Sequence, residues 1–509
     1  MDQSAIVEWL RAGRPWDKIP KVEETHAAYV FLVGEQAFKL KKAVNLGYLD
    51  FSTPEKRRHV LERELKLNRR TAHEMYRRVL PITERDGQLA LDGQGRTVDF
   101  VLVMNRFADG ALLSDWADSG KLDIAMVEKL AHHIAAFHAA AEPVSNIDWP
   151  RAAARIADEN LRDITDQPAV FDPASVPAHA ANRARVHDAA RVTLQRQSGA
   201  VRHCHGDLHL RNAFVEHGRP VLFDCIEFDD FYANIPPLYD LAFLIMDLCA
   251  RDLKPHANRA LNAWTIDQPP TRWHGLLEDL AALPAYLTWR AEIRAKTEGR
   301  RSGAAGIARH YFNLACEFAA PSPPALIAIG GLSGTGKSTL ARALAPNTGR
   351  APGAIHLRTD EIRKRQAGVS LDAHLAPAAY AAERSARVYA AMEDLAGAAL
   401  RAGQAVIADA VFARADERKA IEAVAASVGV PFIGLWLEAP TPMLETRLDR
   451  RTGDASDADK AVLHRQLTYD LGAITWTKLD AGQAAHALAE AARKHAAHGA
   501  AGAAGLSPS

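Results

Sequence analysis

The stretch "HCHGDLHLRNAF" at residues 203–214 holds three histidines, an aspartate and an asparagine. His203, His205 and His209 are candidate metal ligands, but zinc sites use matched Cys/His sets. The four cysteines, Cys204, Cys225, Cys249 and Cys316, form no CxxC pair. The carboxylate and amide suit a harder cation better. Residues 213–216 and 220–223 read as two strands joined through His217-Gly218, so the start of one lies beside the end of the other. Asn212 then neighbours Asp224, with Asp207 in the same loop. One uncharged and two anionic oxygen groups match the ligands of Mg²⁺ carrying a nucleotide phosphate.

A second phosphate-handling pattern lies at 330–339, "GGLSGTGKST". Gly331-x4-Gly336-Lys337-Ser338 follows an apolar, strand-like run and opens a helical one, the context of a P-loop. Gly331, Ser333, Gly334, Thr335, Gly336, Lys337, Ser338 and Thr339 are the expected nucleotide-binding set. Main-chain N–H groups cradle phosphates, Lys337 reaches the β/γ oxygens, and the Ser338 hydroxyl coordinates Mg²⁺.

The elements that must carry these groups divide the chain. At 509 residues it exceeds one ordinary domain, and a hydrophobic share of 48% supports proper cores. Lys+Arg and Asp+Glu both number 62, a balance that disfavours a dedicated nucleic-acid binder. The N-terminus lacks a signal-peptide core. The apolar stretch 238–250 is too short to span a bilayer and contains Asp240 and Asp247, so it reads as a buried helix. A cytoplasmic protein with no membrane partner is expected. The Pro-rich stretch at 319–324 reads as a linker between a domain at 1–318 and another at 325–497, followed by a disordered Gly/Ala-rich tail at 498–509.

The first domain should have a small β-rich lobe over about 20–110 and a helical lobe over 111–318. Apolar runs flanking "GEQ" within 28–44 predict a hairpin. A helix is expected over 53–70, with Ser52 and Glu55 as capping box and Pro54 in the first turn. A strand is expected at 97–107. The second domain alternates strand-like and helix-like runs, which predicts an α/β fold with a parallel, doubly wound sheet.

"HGDLHLRN" followed by "LFDCIEFDD" resembles the catalytic and metal loops of protein kinases and, more closely, of the aminoglycoside phosphotransferase family. The resemblance implies an α+β bilobal kinase-like fold. Asp207 would be the base that orients the acceptor hydroxyl, with Asn212 and Asp224 holding Mg²⁺. His205 and His209 become structural. Lys39 in "AFKLKK" resembles the lysine that grips nucleotide phosphates, Lys41 being the alternative, and Glu64 rather than Glu62 is its acidic partner. "VLVMNRF" corresponds to the strand that meets adenine, and Asp240 in "PPLYDLAFL" is structural. No G-x-G-x-x-G precedes Lys39; "VEETHAAYVFLVG" stands there instead.

"LRTDEIRK" and "VIADAVF" resemble the small P-loop kinases of gluconate kinase, adenylylsulfate kinase and polynucleotide 5′-kinase type. That likeness implies a P-loop NTPase domain in which Asp360 is the acceptor base, Arg363 holds an anionic substrate and Asp409 serves Mg²⁺. Residues 445–459 look like a lid, with Arg447, Arg450 and the catalytic candidate Arg451 neutralising the transferring phosphoryl. The resulting expectation is a tandem phosphotransferase that uses ATP and Mg²⁺ on small-molecule hydroxyls. Two alternatives are one catalytic domain with a nucleotide-sensing partner, and 5′-end phosphorylation of polynucleotides in the second half. The acceptors and the oligomeric state have no sequence signature.

Overall fold

A computed structural model describes residues 3–45, 49–450 and 455–504. Its contacts form two compact units that do not follow chain order. Residues 1–152 group with 198–247, and residues 153–197 group with 248–509. Two helical segments that precede the expected linker therefore pack with the P-loop region.

The first unit is built on six antiparallel strands: β1 (Lys21–Glu24), β2 (Ala28–Val33), β3 (Gln36–Lys41), β4 (Tyr76–Arg85), β5 (Gln88–Leu91) and β6 (Arg96–Asn105). Their order is β1-β2-β3-β6-β4-β5. The expected hairpin is β2–β3, turning at Gly34, whose φ is +58°. Side chains alternate across β3 with period two. Phe38 and Leu40 pack with Ile6 and Leu10 of the helix Gln3–Arg11 on one face. Ala37 packs with Leu61 of the helix Pro54–Asn68 on the other. Lys39 and Lys41 share the Ala37 face, so both point toward that second helix.

The cap of this helix is one residue later than expected. Thr53, not Ser52, is the N-cap, and its hydroxyl accepts the Lys56 N–H. Pro54 is the reason: its fixed φ suits the first helical position, which makes its predecessor the cap. The Ser52 hydroxyl instead donates to Asp50 Oδ1 at 2.6 Å. The helix is anchored to the sheet through Arg57, whose Nε and Nη2 each reach the Asp99 carboxylate at 2.8 Å. Asp99 is fully buried.

Four short strands complete this unit: β7 (Arg202–His203), β8 (Ala213–Glu216), β9 (Arg219–Leu222) and β10 (Asn234–Ile235). β7 pairs with β10, and β8 with β9, each antiparallel. The β8–β9 turn uses His217 at φ +49° and Gly218 at φ +73°, the paired positive values of a primed hairpin turn. The stretch expected as a buried helix is helical over Pro237–Ala250.

The second unit contains five parallel strands: β11 (Leu326–Gly331), β12 (Ile355–Arg358), β13 (Val406–Asp409), β14 (Phe432–Glu438) and β15 (Thr477–Asp480), ordered β12-β13-β11-β14-β15. Helices connect successive strands, as the alternation predicted. β11 lies between β13 and β14, where the winding changes direction, and such switch points open ligand crevices at the strand C-termini. Ile327, Ile329, Leu340, Leu344, Ile407 and Leu435 form its core. The last helix runs over Ala485–Ala504, into the stretch expected to be disordered. Its many alanines, the best helix formers, offset the glycine cost. Among the described residues no helix is long and apolar enough to cross a membrane.

Arg57→Met is expected to lower the urea-unfolding free energy of the first unit by about 3–5 kcal/mol, read by circular dichroism, because it strands the buried Asp99 carboxylate.

Candidate active sites

The loop between β7 and β8 is fixed from behind by the helix Pro237–Ala250. Asp240, fully buried, accepts the main-chain N–H groups of His205 at 3.0 Å and Gly206 at 2.9 Å, and contacts His138 Nε2 at 3.1 Å. About two turns further along the same face, Asp247 accepts the Leu210 N–H at 3.0 Å. Gly206 has φ +85°, and a Cβ there would lie 2.9 Å from the Tyr232 carbonyl oxygen, so glycine is required on two counts.

The hairpin places Asn212 opposite Phe223, the residue before Asp224. The Phe223 N–H donates to the Asn212 carbonyl at 3.0 Å. Asn212 Nδ2 donates to Asp207 Oδ2 at 2.8 Å and to the Asp207 carbonyl at 2.9 Å. Asp224 follows β9 at φ +61°, a left-handed conformation that aspartate tolerates better than bulkier residues. Its N–H donates to the Tyr76 hydroxyl at 3.2 Å.

Both lysines of β3 reach Glu64, the fully buried carboxylate on the helix Pro54–Asn68, and they differ in their second partner. Lys39 Nζ lies 2.6 Å from Glu64 Oε1 and 2.8 Å from Asp224 Oδ1. Lys41 Nζ lies 2.7 Å from Glu64 Oε2 and 2.5 Å from Glu227 Oε1. Lys39 thus links the helix to the candidate metal carboxylate, while Lys41 closes a deeper pair. Burial disfavours the charge on Lys39, but Asp224 and Glu64 outweigh it and hold its pKa well above the ordinary lysine value. Burial pushes Asp224 up, yet the charge and hydrogen bond of Lys39 bring it below the usual aspartate value. Glu62 pairs with Arg58 on the same helix instead.

The three histidines of the loop do not converge. His203 Nδ1 faces Asn234 Oδ1 at 2.9 Å, His205 Nε2 faces the Phe223 carbonyl at 2.9 Å, and His209 Nε2 lies 3.4 Å from Asp207 Oδ2. Each goes to a separate partner, which rules out one metal shared by these three.

In the second unit the loop after β11 passes through Gly331, Gly334 and Gly336 at φ +139°, +84° and +88°. Gly336 caps the helix Lys337–Leu344. A Cβ on Gly334 would fall 2.8 Å from the Leu444 carbonyl oxygen. Lys337 Nζ donates to the carbonyls of Gly331 at 2.8 Å and Leu332 at 3.1 Å. The Ser333 N–H donates to Gln466 Oε1 at 2.8 Å. Ser338 Oγ donates to Asp409 Oδ2 at 2.6 Å, which brings the two candidate metal groups together at the strand ends. Burial raises the Asp409 carboxyl, but the His356 hydrogen bond and the Arg358 charge leave it well below the usual aspartate value.

A cavity of about 1410 Å³ opens over this loop, lined by Ser333 through Thr339 and by Asp360, Arg363, Asp409, Arg447 and Arg450. Asp360 lies in the first turn of the helix Thr359–Gln366. Burial pushes its pKa above the ordinary aspartate value, an effect that Arg358 and a Ser456 hydrogen bond oppose. Arg363 Nη1 donates to the Ala379 carbonyl at 2.8 Å, and its guanidinium lies 4.8 Å from the Tyr380 ring centroid. Arg447 Nη2 donates to the Ala481 carbonyl at 2.8 Å. Arg451 lies outside the described residues.

Sequence reasoning missed Asp247, Glu227, His356 and Arg358. Asp240 and Asp247, seven apart in an apolar helix, were a legible sign of two anchors on one face. His356 and Arg358, two apart in a buried strand, were a comparable sign, since buried polar side chains need partners.

Comparison with known proteins follows this geometry. The family model described as "Phosphotransferase enzyme family" matches residues 51–276, and one described as "AAA domain" matches residues 326–469. An uncharacterized protein of Mycobacterium tuberculosis (strain ATCC 25618 / H37Rv) is 29% identical over 476 residues, covering 89% of this chain and 91% of its own. Among solved structures, a choline/ethanolamine kinase family protein from Mesorhizobium loti covers 62% of this chain and 95% of its own, at 14% identity and a TM-score of 0.39. A gluconokinase from Sinorhizobium meliloti 1021 covers 35% of this chain and 95% of its own, at 22% identity and a TM-score of 0.26. Residues 51–276 match the phosphotransferase enzyme family and residues 326–469 match the AAA domain family, and the chain is a kinase.

Proposed function

We propose that the chain is a tandem phosphotransferase, each unit moving the γ-phosphoryl of ATP to a hydroxyl of a small-molecule acceptor. The observation that carries this reading is a repeated triplet on unrelated scaffolds. Each unit presents a lysine, a pair of oxygen ligands and a separate aspartate: Lys39, Asn212/Asp224 and Asp207 in one, Lys337, Ser338/Asp409 and Asp360 in the other. In phosphoryl transfer the protein acts mostly by positioning and charge neutralisation, which these groups supply.

The donor sets fit Mg²⁺, a hard cation that takes oxygen ligands. Asn212 and Asp224 would hold it in the first unit, Ser338 and Asp409 in the second, and when bound it neutralises phosphate charge. Around Glu64 there are two ammonium groups and three carboxylates, an excess of negative charge that a divalent cation offsets. Asp207 orients the first acceptor hydroxyl and takes its proton. Its bond from Asn212 Nδ2 keeps the carboxylate in place.

In the second unit Asp360 is the corresponding base, and its raised pKa makes it a better proton acceptor than an ordinary aspartate. Lys337, swung from its own loop carbonyls, grips the β/γ-phosphates, and Arg447 and Arg450 face the transferring group. Arg363 bonds a carbonyl rather than a carboxylate, so its charge is available to an anionic acceptor, which favours a substrate bearing a carboxylate or phosphate.

Asp207→Asn and Asp360→Asn are expected each to abolish a different phosphorylation when a metabolite pool is incubated with γ-labelled ATP. Loss of both products from either change would sink the model of two independent catalysts. Lys39→Met should cut kcat/KM at the first site by roughly 100-fold or more, the scale of losing one preorganised charge. Lys41→Met should instead act on folding, lowering stability by about 3 kcal/mol through stranded Glu227. Steady-state kinetics and thermal melts on the two variants separate these roles.

A further inference from the structure

Asp409 receives more than the Ser338 hydroxyl. His356 Nε2 lies 3.1 Å from the same oxygen, Oδ2, and Arg358 Nε lies 3.4 Å from it. His356 and Arg358 are two apart on β12, so both project to one face, and β12 is hydrogen-bonded to β13, which ends at Asp409. The His356 side chain is 3% exposed. The ring nitrogen and the carboxylate oxygen are thus within hydrogen-bond distance of one another in a closed, dry setting.

β12 is an edge strand, with β13 on one side only. Its free edge is covered from the helix Lys254–Ile266. Asn262 Oδ1 accepts the His356 main-chain N–H at 2.8 Å, and Asn262 Nδ2 donates to the Ala354 carbonyl at 3.2 Å. Asn258 Nδ2 donates to the same carbonyl at 2.9 Å. One side-chain amide thus makes the pair of bonds that a neighbouring strand would make, and it does so on the residue whose ring holds Asp409. Both asparagines are buried.

We propose that His356 is a positioning residue for the P-loop site, holding Asp409 in the orientation that serves Mg²⁺, and that Asn262 sets its place by pairing the β12 edge. The proposal rests on the reading of Asp409 as a metal-serving carboxylate. Groups that hold a ligating side chain are worth about 10–100-fold in metal affinity or activity. Asn262 lies 69 residues before Gly331, the first glycine of the P-loop motif, so a side chain far from the motif tunes the site without touching nucleotide.

The test is calorimetric binding of a non-hydrolysable ATP analogue to the full chain, with Mg²⁺ and with EDTA. His356→Leu keeps apolar volume and removes the donor. It is expected to weaken Mg²⁺-dependent binding about tenfold or more while leaving binding in EDTA within about twofold of the unchanged chain. His356→Gln, which restores an N–H donor, is expected to recover most of the loss, and Asn262→Leu to shift binding in the same direction as His356→Leu. An unaltered Mg²⁺ increment in His356→Leu, an equal loss with and without Mg²⁺, or no recovery in His356→Gln would each overturn the positioning role. Asp409→Asn separates this from failure of the underlying reading: if it leaves the Mg²⁺ increment intact, Asp409 does not serve the metal.

Discussion

A carboxylate with no exposed surface, Glu64, is shared by two lysine ammonium groups, and the first site is arranged around that necessity. Burying an ion is costly unless it is paired with good geometry. Lys39 and Lys41 can both supply the pairing because they lie two apart on β3, whose other face is taken up by Phe38 and Leu40 against the helix Gln3–Arg11. Each lysine then draws a second carboxylate, Asp224 or Glu227, from the segment after β9. Burial holds the Glu227 pKa above the ordinary glutamate value, against the pull of the Lys41 charge. The ion-pair cluster therefore ties the six-stranded sheet, its covering helix and the metal-type hairpin into one frame.

The two candidate sites assemble similar groups by different routes. In the first unit a short antiparallel hairpin juxtaposes Asn212 and Asp224, and the loop ahead of it is held by acids on a buried helix. In the second, parallel strands bring Asp409 to the edge where the loop after β11 bends through three positive-φ glycines. One site depends on side chains that hold a loop, the other on main-chain geometry that leaves N–H groups pointing inward. The electrostatics converge: in both, burial raises the pKa of the candidate carboxylate, and Lys39 at Asp224, or His356 and Arg358 at Asp409, bring it below the ordinary value.

Much of this was legible because it is local. The P-loop is defined by neighbours in sequence, and the placing of Asn212 beside the end of β9 follows from a two-strand pattern closed by His-Gly. Lys39 and Glu64 were indicated by the resemblance to the phosphotransferase loops, whereas what distinguishes Lys39 from Lys41 is a second partner that lies 185 residues away. The cap at Thr53 was missed by one residue because the Ser52/Glu55 pattern outweighed the stronger constraint of Pro54. His356 looked like an ordinary strand residue, since its meaning depends on Asp409 and Asn262, each brought near by tertiary folding. Likewise, nothing local in 254–266 signals an asparagine amide seated on a sheet edge.

That amide has a consequence for how the chain can be divided. An uncovered strand edge presents free N–H and C=O groups and is a template for pairing with other chains. Protein severed at the Pro-rich stretch 319–324 would separate β12 from Asn258 and Asn262 and leave its edge bare. The stretch that looks like the natural place to cut is therefore a poor one. The P-loop sheet has its edge closed by residues that precede it, which ties the two stretches of chain together independently of any chemistry at either site.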